Sequence, residues 1–447
     1  MDRRHFMKHV AGYSLLALPG MQFIRNIQAN AQELRRNNKS VIIMWMGGGP
    51  ATIDIWDLKP GRPTGGDFRP IQTDAPGVMI SEHMKETAKV MKNLAIIRSL
   101  TTTEGDHMRG NQLMHSSYTP NPAIAFPSLG SIVSHEAPKL AGYREISLPN
   151  YISVSGGGGQ GSGPGFLGMT YAPFNIQNPG TPPENVRPPQ GLGGSEVETE
   201  DRIQRRRRLW NTVEGQFMQD RAPYLTTEKD RAKFADGSKN HNDVYQRAFQ
   251  PGRLEGRQGL RPRRIRCLSQ AAYGTSQFGR SALMGVAWWK RAFPQSKSAS
   301  AAGIRTTRTS KLSAQRQLPP LDMAMSALVK DLVDRGIAVA KHDAHLMGEF
   351  ARTPRINQNA GRDHWSRCWS IVVGGGAIKG GQAYGSTDED GMSVKDNPVK
   401  IGDVFATLYR GLGIDPSTQV RDSIGRPSPS PAETAVRSNN CSKPNRS

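Results

Sequence analysis

Short apolar runs that end in glycine or in a polar loop constrain the fold of this chain more than any other feature. Residues 41–46 (VIIMWM) end at three glycines and a proline, residues 94–97 (LAII) lead into a segment rich in Thr and His, and residues 370–373 (SIVV) precede three more glycines. Apolar runs of this length, bounded by glycine, predict buried strands. Glycines at a strand end predict a loop at the sheet edge where ligands bind in open α/β folds.

Helical spacing of apolar residues follows the predicted strands. Residues 318–336 repeat apolar side chains every three or four positions, with Pro319-Pro320 at the expected start and Gly336 at the expected end. Residues 403–412 show a second helical pattern, which Gly413 ends. Strands that alternate with helices predict an α/β fold, with a mostly parallel sheet and helices on both faces.

The first 31 residues have the features of an export signal. Arg3-Arg4 precede an apolar stretch at 10–18, which is far shorter than the roughly 20 residues needed to cross a bilayer. Ala29-Asn30-Ala31 offers small residues where a signal peptidase cleaves. We therefore expect a twin-arginine signal peptide at 1–31, with a frayed amphipathic helix as the alternative. The twin-arginine translocase would export the folded protein to the periplasm or beyond, and we expect no membrane span.

Ionisable residues follow the first two predicted strands. Asp54 and Asp57 lie just past the first strand, and His107 follows the second. Carboxylates and imidazoles at the carboxyl edge of a sheet can reach a shared divalent metal. For the two aspartates, helix capping and charge at a helix N-terminus remain an equal alternative. For His107 the alternative is a solvated side chain, which convergence with other ligands would argue against.

The adjacent pair Asp363-His364 is the strongest local indication of a metal site, because one loop then offers an oxygen and an imidazole to the same ion. Glu349, after another predicted strand, is the carboxylate expected to join them. Arg352 could hold a substrate oxyanion in a bidentate contact. The alternative for Glu349 and Arg352 is an ion pair between residues three apart on one element.

Five segments carry a family pattern along the chain: 45–60 (WMGGGPATIDIWDLKP), 348–354 (GEFARTP), 361–365 (GRDHW), 380–388 (GGQAYGSTD) and 396–398 (DNP). In this order they resemble the domain-of-unknown-function 1501 (DUF1501) family, a branch of the alkaline phosphatase and sulfatase superfamily. The resemblance implies an alkaline-phosphatase-like domain at 32–427. It also implies one or two divalent metal ions (Zn, Ca or Mg), held by carboxylate and histidine ligands at the strand ends. Thr52 is the candidate nucleophile, although Gly47 stands where the superfamily has a metal-binding aspartate.

Residues 251–316 have the charge pattern of a nucleic-acid-binding or lipid-binding insert, but we favour a reading-frame error. The stretch holds 14 Lys plus Arg and one acid, which is +13 of the net charge of +21, and it lacks a periodic apolar face. Codons for 302–310, read two bases later, can encode Trp-Asp-Thr-His, a motif that the family carries at this place. We predict shifted frames at 251–270, 285–316 and 338–346, with order mainly at 271–284, and an irregular tail at 428–447.

The predicted frame errors change what function we expect. Nucleic-acid binding is no longer expected, because the basic charge belongs to the wrong frame. One base shift in 341–346 (KHDAHL) can encode Ser-Thr-Thr-Leu-Ile, a better strand, so the histidines there are not counted as metal ligands. We expect an exported metal-dependent hydrolase-like protein for sulfate or phosphate esters of small molecules or polymers, impaired in this chain. The alternative is a non-catalytic binding scaffold with the same fold.

Overall fold

The computed structural model describes most of the chain between residues 39 and 431. The described residues are 39–140, 143, 149–154, 161, 163–178, 200–224, 226–227, 271–292, 298–301, 311–334, 342–375, 378–421, 425, 427–428 and 430–431. The predicted signal peptide, residues 251–270 and most of the predicted tail lie outside them. Within the described part of the chain, no helix is long and apolar enough to cross a membrane.

The described residues form both β-strands and α-helices. The strands are β1 (Ser40–Trp45), β2 (Pro70–Gln72), β3 (Met79–Ser81), β4 (Leu94–Thr101), β5 (Tyr151–Val154), β6 (Phe174–Ile176), β7 (Ser298–Ala301), β8 (His342–Met347), β9 (Ala351–Arg352), β10 (His364–Trp365), β11 (Trp369–Gly375), β12 (Gln382–Tyr384), β13 (Ser386–Thr387), β14 (Val394–Asp396) and β15 (Val399–Lys400). The helices are α1 (Lys85–Ala88), α2 (His107–Ser116), α3 (Leu129–Glu136), α4 (Glu200–Arg221), α5 (Gln277–Ala292), α6 (Lys311–Asp334) and α7 (Ile401–Leu412). The fold is therefore of the mixed α/β class.

Nine of the strands form one mixed sheet in the order β12-β4-β11-β8-β1-β7-β5-β6, with β15 also paired to β4. The expectation of a mostly parallel sheet was wrong, because the sheet is mixed: β11, at its centre, runs antiparallel to both of its neighbours, β4 and β8. The remaining pairs are parallel. Between β8 and β11 the chain forms only the small antiparallel pair β9–β10 and no crossover helix. A connection of this kind returns the chain antiparallel, whereas a parallel neighbour needs a crossover.

Successive side chains of the central strands belong to two separate hydrophobic cores. Ile42 and Met44 lie in one core with apolar side chains of α5 and α6. Val41 and Trp45 lie in the other core with apolar side chains of α2, α3 and α7. This alternation follows from the pleat of a strand, which turns neighbouring side chains to opposite faces. Helices therefore cover the sheet on both faces, as predicted.

The strands predicted from apolar runs are confirmed as β1, β4 and β11, and the predicted helix at 403–412 is confirmed as α7. Gly413 ends α7 with a φ of 82°, a left-handed conformation that glycine adopts easily. The predicted start of the other helix was wrong, because α6 begins at Lys311 and contains Pro319 and Pro320. Leu318 and Leu321 on either side are buried, and this packing offsets the backbone hydrogen bond that a proline removes.

Part of the stretch with the predicted frame error, residues 251–316, forms regular secondary structure. Helix α5 continues to Ala292, and β7 pairs in parallel with β1 and β5, so the expectation of irregular backbone outside 271–284 was wrong for these residues. In β8, however, His345 is buried and neither ring nitrogen has a hydrogen-bond partner. Burial of two unpaired polar atoms is unfavourable at the centre of a sheet. The frame error itself stays a prediction about the gene.

Candidate functional site at the sheet edge

Four loops meet at one edge of the sheet. Because β1, β4 and β8 run in the same direction, the segments after them, 46–50, 102–106 and 348–350, leave the sheet on the same side. β11 runs the opposite way, so the segment before it, 361–368, reaches this edge too. The antiparallel strand therefore places Asp363-His364 beside loops that follow parallel strands, the edge at which open α/β sheets bind ligands.

Glu349 is the most buried ionisable residue at this edge, with a relative exposure of 1 %. Its Oε1 accepts hydrogen bonds from the backbone N–H of Gly48 (2.6 Å) and from Nδ1 of His107 (2.8 Å). Its Oε2 is buried and has no hydrogen-bond partner. A buried carboxylate oxygen without a partner is unfavourable by about 1–3 kcal/mol or more, so Oε2 is the atom at which a ligand is most needed.

Two histidines contact each other beside Glu349. The rings of His107 and His364 lie 4.5 Å apart in an edge-to-face arrangement, and both pack on the ring of Phe350. Nδ1 of His364 donates to the carbonyl of Gly105 (2.7 Å), as Nδ1 of His107 donates to Glu349. Each imidazole therefore keeps Nε2 for a ligand. Partial burial lowers the pKa of His364, and the charges of Arg352 and His107 lower it further.

The glycine loop after β1 is held by Arg352. Gly48 and Gly49 have φ values of 96° and 65°, which other residues adopt only with strain. The guanidinium of Arg352 donates to the carbonyl of Gly49 (2.8 Å) and to that of Gly48. Desolvation by burial lowers the pKa of Arg352, and Glu349 opposes this shift. Arg352 therefore fixes the loop that carries the N–H bound to Glu349, and its predicted contact with a substrate oxyanion stays a prediction.

Asp54 is engaged in a buried ion pair. Its two carboxylate oxygens accept hydrogen bonds from the guanidinium of Arg362 at 2.6 and 2.9 Å. Burial raises the pKa of Asp54, although the charge and the hydrogen bonds of Arg362 act in the opposite direction. Arg362 also donates to the carbonyls of Thr64, Thr353 and Pro354. A carboxylate held on both oxygens by an arginine is a structural ion pair.

Asp57 and Thr52 also have partners within the fold. Asp57 accepts a hydrogen bond from the hydroxyl of Thr387 and lies 3.2 Å from the ammonium of Lys59. The hydroxyl oxygen of Thr52 accepts a hydrogen bond from the backbone N–H of Ser370 in β11 (3.2 Å). The structure therefore places these two residues in contacts that join the first loop to the rest of the sheet edge.

Asp363 is exposed and does not join the His107–Glu349 pair through any hydrogen bond. Its Oδ1 accepts from Nδ2 of Asn357 (3.2 Å), and its backbone pairs with Thr353. The predicted site residues thus divide into one cluster, His107, Glu349 and His364, and several residues with partners elsewhere. Among the described residues, no group of three or more His, Cys, Asp or Glu side chains is arranged to hold a metal ion. His107, Glu349 and His364 could contribute ligands, but without the predicted aspartates they do not form a complete metal site.

The sequence matches a known family over most of its length. The profile of the family described as "Protein of unknown function (DUF1501)" matches residues 38–261 and 309–436. The chain belongs to the DUF1501 family. A comparison of this DUF1501 protein with curated proteins finds no match. The range between the two matched parts, 262–308, lies inside the stretch for which a frame error is predicted.

The sequence of this DUF1501 protein gave no local sign of some contacts that organise the site. Arg362 lies in one of the family segments, but its partner Asp54 is 308 residues away. Gly105 and Phe350, which position the two histidines, are likewise recognised only once the loops are brought together. Among these positioning groups, the glycine run at 47–49 is the one that the sequence indicated, because glycines at a strand end predict a loop whose backbone groups can bind side chains.

Proposed function

We propose that this chain is an exported, metal-dependent hydrolase-like protein of the alkaline phosphatase and sulfatase type, and that its hydrolytic centre is incomplete in the chain as written. The cluster of His107, Glu349 and His364 carries the proposal. The substrate class is sulfate or phosphate esters of small molecules or polymers. The divalent metal would be Zn, Ca or Mg, which would supply charge neutralisation at the ester oxygens.

Glu349 is the observation that most favours a ligand-binding centre. One of its oxygens orients His107, and the other is buried without a partner. A carboxylate that holds the Nδ1 of a histidine is the usual arrangement around metal-binding and acid–base histidines. The side chain of His107 is partly exposed (41 %), so part of the imidazole ring contacts solvent.

The contacts of the other predicted residues support impairment. Asp54 pairs with Arg362, Asp57 with Thr387 and Lys59, and Arg352 with two backbone carbonyls. If Asp54 or Asp57 left its partner, a buried charge or polar group would remain unpaired. The predicted Trp-Asp-Thr-His motif, which would add an aspartate and a histidine, is missing from the chain as written.

The same contacts favour a second candidate, a non-catalytic exported scaffold. In that case Asp54 and Arg352 have a structural role through their ion pair and hydrogen bonds, and Glu349 only fixes the glycine loop. The two candidates differ in whether a frame-corrected protein binds metal and hydrolyses esters.

The test compares the chain as written with the product of a frame-corrected gene. Each is assayed with p-nitrophenyl phosphate and p-nitrophenyl sulfate in the presence of Zn²⁺, Ca²⁺ or Mg²⁺, and metal affinity is measured by titration calorimetry. We expect metal-dependent hydrolysis only from the corrected protein. Glu349→Gln in that protein should weaken metal binding by about 10–100-fold, because the glutamate orients His107.

A matched control variant is His135→Asn on α3. His135 also pairs with a glutamate, Glu136 at 2.7 Å, but it lies on α3 rather than in one of the loops at the sheet edge. Its replacement should leave metal affinity and hydrolysis unchanged. If the corrected protein neither binds a metal nor hydrolyses either ester, the hydrolase proposal is wrong and the scaffold remains.

A further inference from the structure

Helix α4 carries exposed apolar side chains on one face, Leu209, Val213 and Phe217, which we call the α4 stripe. Their relative exposures are 65 %, 54 % and 45 %. With Tyr224 in the turn after the helix, they are four of the eight large apolar side chains that are exposed in the described part of the chain. At 3.6 residues per turn, the three members of the stripe lie within roughly 80° around the helix axis. Such clustering marks an interaction surface.

Arginines flank the α4 stripe at both ends. Arg205 and Arg208 are exposed in the turn before Leu209. Arg221 lies after the stripe, with its guanidinium 5.5 Å from the centre of the Phe217 ring. The whole helix has six arginines and four acidic residues, and four of the arginines are consecutive at 205–208. Positive charge therefore borders the N-terminal end of the apolar face, whereas Asp220 adjoins Arg221 at its C-terminal end.

We propose that the α4 stripe binds the surface of an anionic phospholipid bilayer, with α4 lying in the plane of the membrane. Helices that bind in this way carry Leu, Phe or Trp on one face and Arg or Lys at its borders. The apolar side chains enter the boundary between headgroups and acyl chains. The arginines extend to the lipid phosphates, to which their charge is complementary. Tyr224 adds an aromatic ring with a polar tip, which suits the same interface.

The membrane contact is independent of the chemistry at the sheet edge. The residues of the α4 stripe and its flanking arginines take no part in the hydrogen bonds and ring contacts of His107, Glu349 and His364. Failure of the membrane proposal would therefore leave the proposed function untouched, and loss of hydrolysis would not affect membrane binding.

The test uses the full chain and sedimentation with vesicles. One set contains phosphatidylcholine mixed with phosphatidylglycerol, and the other contains phosphatidylcholine alone. We expect binding to the mixed vesicles and little to the neutral ones. Leu209→Gln/Phe217→Gln and Arg205→Gln/Arg208→Gln should each lower the partition coefficient by about tenfold or more. Met169→Gln, at an equally exposed apolar residue (66 %) outside the helix, should leave it unchanged.

Three results would overturn the proposal. Equal binding of the wild type and the Leu209→Gln/Phe217→Gln variant would show that the basic charge of the whole chain suffices. A smaller particle mass for that variant in light scattering without vesicles would make the α4 stripe an interface between copies. A lower midpoint of thermal unfolding for that variant would show that the stripe packs within the chain.

Discussion

Replacement of His345 by leucine tests whether a buried histidine at the centre of the sheet destabilises the fold. His345 lies in β8 between β1 and β11, with a relative exposure of 2 %. Neither ring nitrogen has a hydrogen-bond partner. The side chain lines a small cavity with Asp403 and Thr407 of α7. Burial lowers the pKa of His345 from 6.5 to about 3. The shifted frame would place the apolar pair Leu-Ile at this end of the strand.

The expected effect has two parts. Above about pH 6.5 the histidine is neutral in both states, and removal of two unpaired buried nitrogens should raise the free energy of unfolding by about 1–3 kcal/mol. Between about pH 6.5 and pH 3 the unfolded chain holds a proton that the folded protein does not. Stability of the wild type therefore falls as pH falls through this window, by about 1.4 kcal/mol per pH unit. Near pH 5 this second part amounts to roughly 2 kcal/mol.

The assay is urea unfolding of the wild type and of His345→Leu at several pH values between 5 and 8. The variant should be more stable at every pH, and its advantage should grow towards pH 5. His345→Asn is the matched control, since it keeps a buried polar group but cannot take up the proton. Relative to the wild type, it should show the same growing advantage towards pH 5 but no gain at neutral pH. If His345→Leu is less stable than the wild type at neutral pH, the histidine has a partner in solution and the reasoning is refuted.

The remaining predictions concern the ion pair, the glycine loop and the gene. Asp54→Asn should lower the free energy of unfolding by about 3–5 kcal/mol in urea titrations, because it leaves the buried Arg362 unpaired. Asp390→Asn, which breaks the exposed pair with Arg62, should leave it nearly unchanged. Gly49→Ala should lower the thermal midpoint more than Gly77→Ala. Both glycines have positive φ, but only at Gly49 would the added Cβ clash, because it would lie 2.5 Å from the nearest ring atom of Phe350. Sequencing of the DNA across codons 245–350 should reveal the alternative open frames, and their absence would contradict the frame error.

Local patterns predicted several elements but not the direction of every strand. The apolar runs gave β1, β4 and β11, and Gly413 gave the end of α7. The antiparallel direction of β11 could not be read from its residues, because a fully buried strand has the same apolar composition in either direction. The direction depends on where the preceding hairpin of β9 and β10 returns the chain.

The sequence also identified residues of the candidate site without their partners. Glu349, His107 and His364 were expected at one sheet edge, and they contact each other there. Asp54 and Asp57 were expected to share in the same site, yet each has a cation or a hydroxyl group as partner. Carboxylates at strand ends are the same in a metal site and in an ion pair, so the residue type alone could not separate the two alternatives.

Periodicity and glycine act over a few neighbouring residues, so the sequence was enough to predict β1, β4, β11 and α7 and the charged residues that follow the strands. The partner of each charged residue depends instead on how the folded loops come together. Asp54 meets Arg362 across 308 residues, and Arg352 meets the carbonyl of Gly49 across 303. The physical reason is that a buried charge pairs with whatever the packed loops bring within hydrogen-bonding distance, and this distance depends on the whole fold.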